Sequence, residues 1–189
     1  MARLPAFPVL PSAAHRRLSP YESLARSITF QQLSGKAAET IWRRACGLSA
    51  EGRFPAPGEL LALEEGALRA AGLSRQKILA LKDLARHELE GQFPWRRLAR
   101  QEDEAVIAAL TQVRGIGRWS AQMFLMFRWG RLDVLAGGDL GLQEGLRQLD
   151  GLAERPSPKQ LEARGERWAP LRSVASWTLW RLVEAARQR

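Results

Sequence analysis

Two groups of residues in this sequence have the types and spacing to do chemistry. The first is Leu110-Thr111-Gln112-Val113-Arg114-Gly115-Ile116-Gly117-Arg118-Trp119-Ser120-Ala121. Two glycines around one apolar residue make a turn tight enough to join two helices, because glycine accepts φ > 0 at little cost. The N–H groups of such a turn, and of the helix start after it, point outward without helical partners. An array of that kind binds an anion, typically a phosphate. Leu110, Val113, Ile116 and Ala121 would bury one side, and Arg114 and Arg118 add positive charge. Amides and arginines grip phosphates without reading bases, so the binding would be independent of sequence. The same residues also suit an ordinary corner between two helices. The second group is Gly137-Gly138-Asp139, one carboxylate in an apolar, glycine-rich setting. Asp139 stands where the N-cap of a following helix belongs. A lone carboxylate in a partly dry site can also stabilise developing positive charge. Spacing leaves both readings open. Asp133 is a weaker acid candidate and reads as structural.

The whole chain narrows the classes of function. Its net charge is +9, which suggests a polyanionic partner, nucleic acid first. A charged fraction of 26% beside 46% hydrophobic residues argues for a folded globule rather than disorder. The single cysteine, Cys46, excludes a disulfide, a zinc cluster or an iron–sulfur cluster built within the chain. No apolar run approaches ~20 residues, so no membrane span is expected. Met1 to Pro11 is proline-rich and lacks a signal-peptide pattern, so the expected location is cytoplasmic, at the nucleoid in a prokaryote.

The elements that must position these residues read as helices. Residues 1–18 form an extended lead-in, with a short helical turn around 12–17. Ser19-Pro20-Tyr21-Glu22 combines a capping serine, proline at the first helical position and glutamate at the third. Ser34 starts a second helix, through Ala37, Ala38, Ile41, Trp42 and Ala45 to Gly47. Residues 49–58 form a linker. One or two short helices follow from Leu60, ended by Gly72. Ser74 caps a longer helix with a face of Ile78, Leu81, Leu84, Ala85 and Leu89, broken by Gly91 and Pro94. Helices over 103–111 and 118–129 flank the glycine turn. Asp139 precedes a helix carrying Leu140, Leu142, Leu146 and Leu149. Ser157-Pro158 starts another, and Pro170 the last. No stretch alternates with period two, so the fold class is all-α.

Taken together, these stretches resemble a known family. Leu110-x-x-Val113-x-Gly115-Ile116-Gly117-x-x-x-Ala121 resembles the helix-hairpin-helix motif. With the later Gly-Asp loop it is similar to the signature of the helix-hairpin-helix base-excision DNA glycosylases. Ile28 to Ser34 with Lys36-Ala37-Ala38, and Arg167 to Ser173 with Trp177, place it near the 3-methyladenine DNA glycosylase II branch. The match spans about 19–185. It implies two helical lobes with a central cleft for DNA and base, the hairpin at its edge. Lobe one would hold about 19–47 plus 140–189, lobe two about 55–138, including the hairpin at 103–130. Relatives with an N-terminal β-domain exist, and this chain would be a compact form without it.

The resemblance assigns roles. Asp139 matches the family's catalytic aspartate. The expected activity is excision of alkylated bases of the 3-methyladenine type from double-stranded DNA. A glycosylase for oxidised or deaminated bases and a non-catalytic hairpin module are the alternatives. Trp119 stands where lyase-competent members carry a lysine. Indole cannot form a Schiff base as an amine can, so the enzyme should be monofunctional and leave an abasic site. Gln32 matches the residue that fills the gap left by an extruded base, with Leu33 as the alternative wedge. Arg114, Gly115, Gly117, Arg118 and Ser120 should bind DNA. Phe30, Trp119, Met123 and Leu171 should line the base pocket. Met123 and Leu171 replace common aromatics, which implies tolerance of several alkylated bases. No organic cofactor is implied, but carbonyls of Thr111, Val113 and Ile116 could hold a structural sodium or potassium ion. The expected oligomeric state is a monomer.

Overall fold

The computed structural model describes residues 7–10 and 17–188, and all its regular elements there are helical. Most of the expected lead-in, with its helical turn around 12–17, lies outside the described residues. No helix among the described residues is long and apolar enough to cross a membrane. Contacts divide the chain into two compact units, Ala14–Ala121 and Met1–Ala13 with Gln122–Arg189.

The unit Ala14–Ala121 begins with α1, Pro20–Phe30, whose start is the capping box read from the sequence. The Glu22 N–H donates to Ser19 Oγ at 3.1 Å and the Ser19 N–H returns a bond to Glu22 Oε2 at 2.6 Å. Then come α2 (Gly35–Cys46), α3 (Pro57–Ala62), α4 (Glu65–Ala70) and α5 (Arg75–Leu89). Ser34 occupies the N-cap of α2 in extended conformation but makes no side-chain cap bond. Ser74 does cap α5, accepting from the Lys77 N–H at 3.4 Å. Helix α5 is the central beam, packed by α1, α3 and α4. Leu24 and Ile28 of α1 and Ile78, Leu81 and Leu84 of α5 are fully buried. Leu89, expected on that face, is 58% exposed, since it is the last residue of the helix. A short helix the sequence reading missed, α6 (Trp95–Leu98), follows Pro94. Helices α7 (Asp103–Leu110) and α8 (Arg118–Met123) flank the glycine turn, and the boundary between the units falls within α8.

The other unit continues from α8 as a π-helical turn, Phe124–Arg128, where one α-helix to 129 was expected. Phe124, Leu125 and Met126 are all buried in a row. An α-helix would spread three consecutive side chains over more than half its circumference. The wider π turn replaces that last α turn here. Beyond it lie α9 (Leu140–Asp150), α10 (Pro158–Gly165), a 3₁₀ turn (Glu166–Trp168) and α11 (Arg172–Arg187). Ala136, Leu142, Leu146, Leu161 and Leu179 form this unit's core. Leu140 and Leu149, expected beside them, are instead 64% and 53% exposed. The last helix starts at Arg172 with Leu171 as its cap, two residues later than Pro170 suggested.

Residues 19–47 group with the middle of the chain rather than with 140–189, because α1 packs on α5 as well as on α2.

Candidate active site

In the unit Ala14–Ala121, the hairpin turn is held down from outside its own helices. Leu110, Val113, Ile116 and Ala121 are buried as their pattern requires. Gly115 adopts φ +80°, and a Cβ there would lie 3.2 Å from Ala80 Cβ of α5. Both the conformation and the close approach demand glycine at this position. Gly117 differs. Its φ is not positive, and a Cβ there would meet nothing within 4 Å. The Ala121 N–H bonds to the Gly117 carbonyl at 3.0 Å, which places the amides of 118–120 in the first turn of α8, ahead of that bond.

The two arginines beside the turn are engaged within the chain. The Arg114 main-chain N–H donates to Asp83 Oδ2 at 2.8 Å, and its guanidinium to Gln76 Oε1 at 3.0 Å. Arg118 forms a two-pronged ion pair with Glu104, its Nη1 2.8 Å from Oε2. Arg118 holds the Glu104 carboxyl below its ordinary range. Ser120 is buried, not presented to solvent, and its hydroxyl accepts from Gln31 Nε2 at 3.4 Å. The Thr111 hydroxyl is turned back on the Ile107 and Ala108 carbonyls at 2.8 and 3.2 Å. The Val113 carbonyl accepts the Ile116 N–H at 3.0 Å and keeps a second lone pair. Among the described residues, no group of three or more His, Cys, Asp or Glu side chains could hold a metal.

The end of α1 carries the expected wedge. Gln32 has φ +57°, the one positive value on a non-glycine residue among those described. It is exposed at the apex of its turn, and Leu33 beside it is 38% exposed. Left-handed backbone on a residue with a side chain is strained, and such strain clusters where a side chain must be presented. Phe30 is half-buried, with the Arg26 guanidinium 3.9 Å from its ring centroid. Trp119 is 47% exposed, so it is not a core tryptophan.

In the other unit, Asp139 takes the capping place its sequence position allowed. It is the N-cap of α9, its Oδ1 accepting from the Leu142 N–H at 2.8 Å. The same oxygen accepts the Trp180 indole N–H at 3.1 Å. Two donors of different origin thus fix the carboxylate's direction at a helix N-terminus, where the macrodipole favours an anion. Two glycines of α9 permit this. A Cβ at Gly145 would lie 2.7 Å from Leu179 Cβ, and one at Gly141 3.1 Å from Trp180 Cδ1 and 3.0 Å from Asp139 Oδ1. Gly137, buried against Glu162, gives its carbonyl to Gln143 Nε2 at 2.9 Å. Gly138 is exposed and has open space around it.

Helical spacing alone would place Trp180 in the core. Its partnership with Asp139 spans 41 residues of chain and leaves no local signature. Asp133 proves structural. It receives the Arg172 Nε and Nη2 at 2.7 Å each and the Arg172 N–H at 3.2 Å. Ser173 completes that tie, its hydroxyl donating to the Arg131 carbonyl at 2.7 Å and accepting the Val134 N–H at 3.0 Å. Met123 packs on this unit's core, as do Trp168 and Trp180. Leu171 caps the start of α11. It lines an apolar cavity of about 360 Å³ with Leu149, Trp168, Val174 and Thr178, on the face of α11 opposite Trp180.

With this geometry in hand, comparison with known proteins is specific. The model of the HhH-GPD superfamily of base excision DNA repair proteins matches residues 25–170. Over 177 residues the chain is 37% identical to DNA-3-methyladenine glycosylase 1 of Schizosaccharomyces pombe, covering 93% of this chain and 78% of that one. Among solved structures it is similar to the DNA-3-methyladenine glycosidase of Bacillus halodurans, with TM-score 0.82 and 38% identity over 100% of this chain and 82% of that one. It is also similar to the S. pombe 3-methyladenine DNA glycosylase in complex with abasic DNA, with TM-score 0.77 and 38% identity over 87% of this chain and 80% of that one.

Proposed function

The chain belongs to the HhH-GPD superfamily of base excision DNA repair proteins, and on that premise we propose that it is a monofunctional DNA glycosylase excising alkylated bases from double-stranded DNA. One observation carries the chemistry: Asp139 Oδ1 is aimed jointly by the α9 amide of Leu142 and the Trp180 indole.

The reaction breaks the bond between deoxyribose C1′ and a ring nitrogen of the base. The bonding electrons leave with the base, which alkylation has already made cationic and a good leaving group. Positive charge then builds on the sugar, as in other glycosyl transfers. The Asp139 carboxylate stabilises that charge, and its fixed orientation means little reorganisation accompanies charge development. Water adds to C1′ and gives up its proton to the same carboxylate, leaving free base and an abasic site. Trp119 offers no amine to attack C1′, so no Schiff base forms and the phosphodiester backbone stays intact.

The hairpin amides and Gly117 hold a backbone phosphate, and Gln32 fills the gap in the stack. A sodium or potassium ion at the Thr111, Val113 and Ile116 carbonyls belongs to the same proposal and would add positive charge near that phosphate.

The test is release of methylated bases from alkylated duplex DNA by wild type and by Asp139→Asn. The expected outcome is a loss of at least about a thousandfold in the variant, on the scale of other preorganised charge stabilisers, with binding to an abasic duplex retained. Equal release by both proteins would refute the mechanism. Binding without release by either would leave a non-catalytic hairpin module. Borohydride should trap no covalent protein–DNA adduct.

A further inference from the structure

The geometry points to Gln31 as a positioning residue that fastens the turn bearing Gln32 to the hairpin, so that gap filling and phosphate grip act as one body. The inference rests on the glycosylase reading and extends it to a residue that the sequence left unassigned. Gln31 is the first residue after α1, with φ −53° and ψ 134°. Its Nε2 donates to the Gly115 carbonyl at 2.9 Å and lies 3.4 Å from Ser120 Oγ. One amide nitrogen therefore meets both sides of the glycine turn, 84 and 89 residues further along the chain.

The turn needs such a fastening. Gln32 holds an unfavourable left-handed backbone at φ +57°. Within the turn itself, the Leu33 N–H reaches the Phe30 carbonyl at 3.3 Å. The helix end behind it is held by Lys77 Nζ, 2.6 Å from the Thr29 carbonyl. Burial lowers the Lys77 pKa, as partial desolvation of an ammonium does. The turn is thus braced from behind by α5 and from the front by the hairpin, and α5 also holds the hairpin through Asp83 and Ala80. Wedge turn, α5 and hairpin close a loop of contacts in which the Gln31 side chain joins wedge turn to hairpin directly. A wedge acts only if its base does not yield when the duplex pushes back. That stiffness is what the link to the phosphate-gripping turn supplies.

The test is a double-mutant cycle with Gln31→Glu, Gln32→Ala and the double variant, read by single-turnover excision of an alkylated base from a duplex. Gln31→Glu keeps size and shape but turns a carboxylate oxygen toward the Gly115 carbonyl. It should lower the excision rate about tenfold, the scale of one lost hydrogen bond with its acceptor left opposed. On this inference Gln31 acts through the turn rather than on a phosphate, so the salt dependence of abasic-duplex binding should keep its wild-type slope. In the Gln31→Glu background the further loss from Gln32→Ala should shrink to about twofold or less, because an unfastened wedge has little left to lose. Losses that simply multiply would overturn the inference, and so would a Gln32→Ala variant with wild-type excision. If Gln31→Glu does not fold, Ser120→Ala and Gln31→Leu carry the same cycle. A wild-type protein that excises no alkylated base would instead refute the glycosylase reading, an outcome distinct from all of these.

Discussion

The hairpin turn presents main chain, whereas the loop ahead of α9 presents one side chain, and the two are secured in different ways. The turn at 111–117 is held by side chains from elsewhere in its unit: Asp83 on the Arg114 amide, Gln31 on the Gly115 carbonyl, Ala80 beneath Gly115. The arginines beside it already have partners, Arg114 in Gln76 and Arg118 in Glu104. What it offers a ligand is therefore backbone. Asp139 is the reverse case. Main chain and an indole hold a single carboxylate, and close glycine contacts on α9 let Trp180 reach it. A site made of backbone should tolerate changes in its neighbouring side chains, while a site made of one oriented carboxylate should not.

The sharpest way to test that contrast after Asp139 itself is Trp180→Phe. It removes the indole N–H from Asp139 Oδ1 and keeps an aromatic ring to stack on Phe127, now 6.0 Å away between centroids. The excision rate should fall about tenfold, the worth of one hydrogen bond to a charged group, while abasic-duplex binding stays within about twofold of wild type. A variant that loses binding and keeps its turnover would mean that Trp180 serves the DNA rather than the acid. Arg114→Ala is the matching change at the turn, and little loss of excision is expected there.

How much of this was legible in the sequence follows the same division. Whatever rested on neighbours in the chain could be read. The Ser19–Glu22 box, the cap at Ser74, the buried anchors Leu110, Val113, Ile116 and Ala121, and the N-cap at Asp139 all came from local spacing. Whatever rested on distant packing could not. Trp180 looked like core because helical spacing gives its face but not its partner. The apolar cavity that Leu171 lines with Leu149 and Trp168 joins residues far apart in the chain, which motif position does not show. Leu140 and Leu149 had the right period for a buried stripe, but that stripe is narrower than the run of leucines. Close packing at Gly141 and Gly145 leaves a local trace, two small residues four apart on one helix. The resemblance singles out Gln32 but is silent on its neighbour Gln31, whose bond to the Gly115 carbonyl lies 84 residues along the chain and leaves no local trace.

The two glycines of the turn give a smaller but cleaner test. Gly115→Ala forces a left-handed conformation on a residue with a Cβ and presses that Cβ on Ala80. It should lower stability by about 1–2 kcal/mol, seen as an earlier denaturant midpoint. Gly117→Ala has room in the protein and should melt like wild type. Its Cβ would instead stand where a phosphate approaches the amides of α8, so abasic-duplex affinity should fall about fivefold to tenfold, near one lost hydrogen bond to an anion. If Gly117→Ala binds as wild type does, no ligand comes close at that point, and the main-chain account of the grip fails.

The smallest effect concerns Asp133, the acid paired with Arg172. Arg172 holds the Asp133 carboxyl below its ordinary pKa, chiefly through its side-chain hydrogen bonds. A carboxyl with a lowered folded pKa contributes stability in full above the unfolded value of about 3.9, and that contribution fades as pH falls through the folded value. Asp133→Asn should therefore cost stability at neutral pH and cost progressively less on acidification below about pH 4. With side-chain exposures of 36% and 35% for Arg172 and Asp133, solvent screening keeps the neutral-pH cost at or below about 1 kcal/mol. A stability gap between wild type and variant that stays constant from pH 7 to pH 3 would show that the ion pair is not its source. Excision carries the other half of the prediction. Asp133 ties residues 131–134 to the start of α11 and makes no bond to Asp139, so Asp133→Asn should keep turnover within about threefold of wild type, its cost confined to stability. A variant as inactive as Asp139→Asn would put two acids in the chemistry and end the contrast between a site of many amides and a site of one carboxylate.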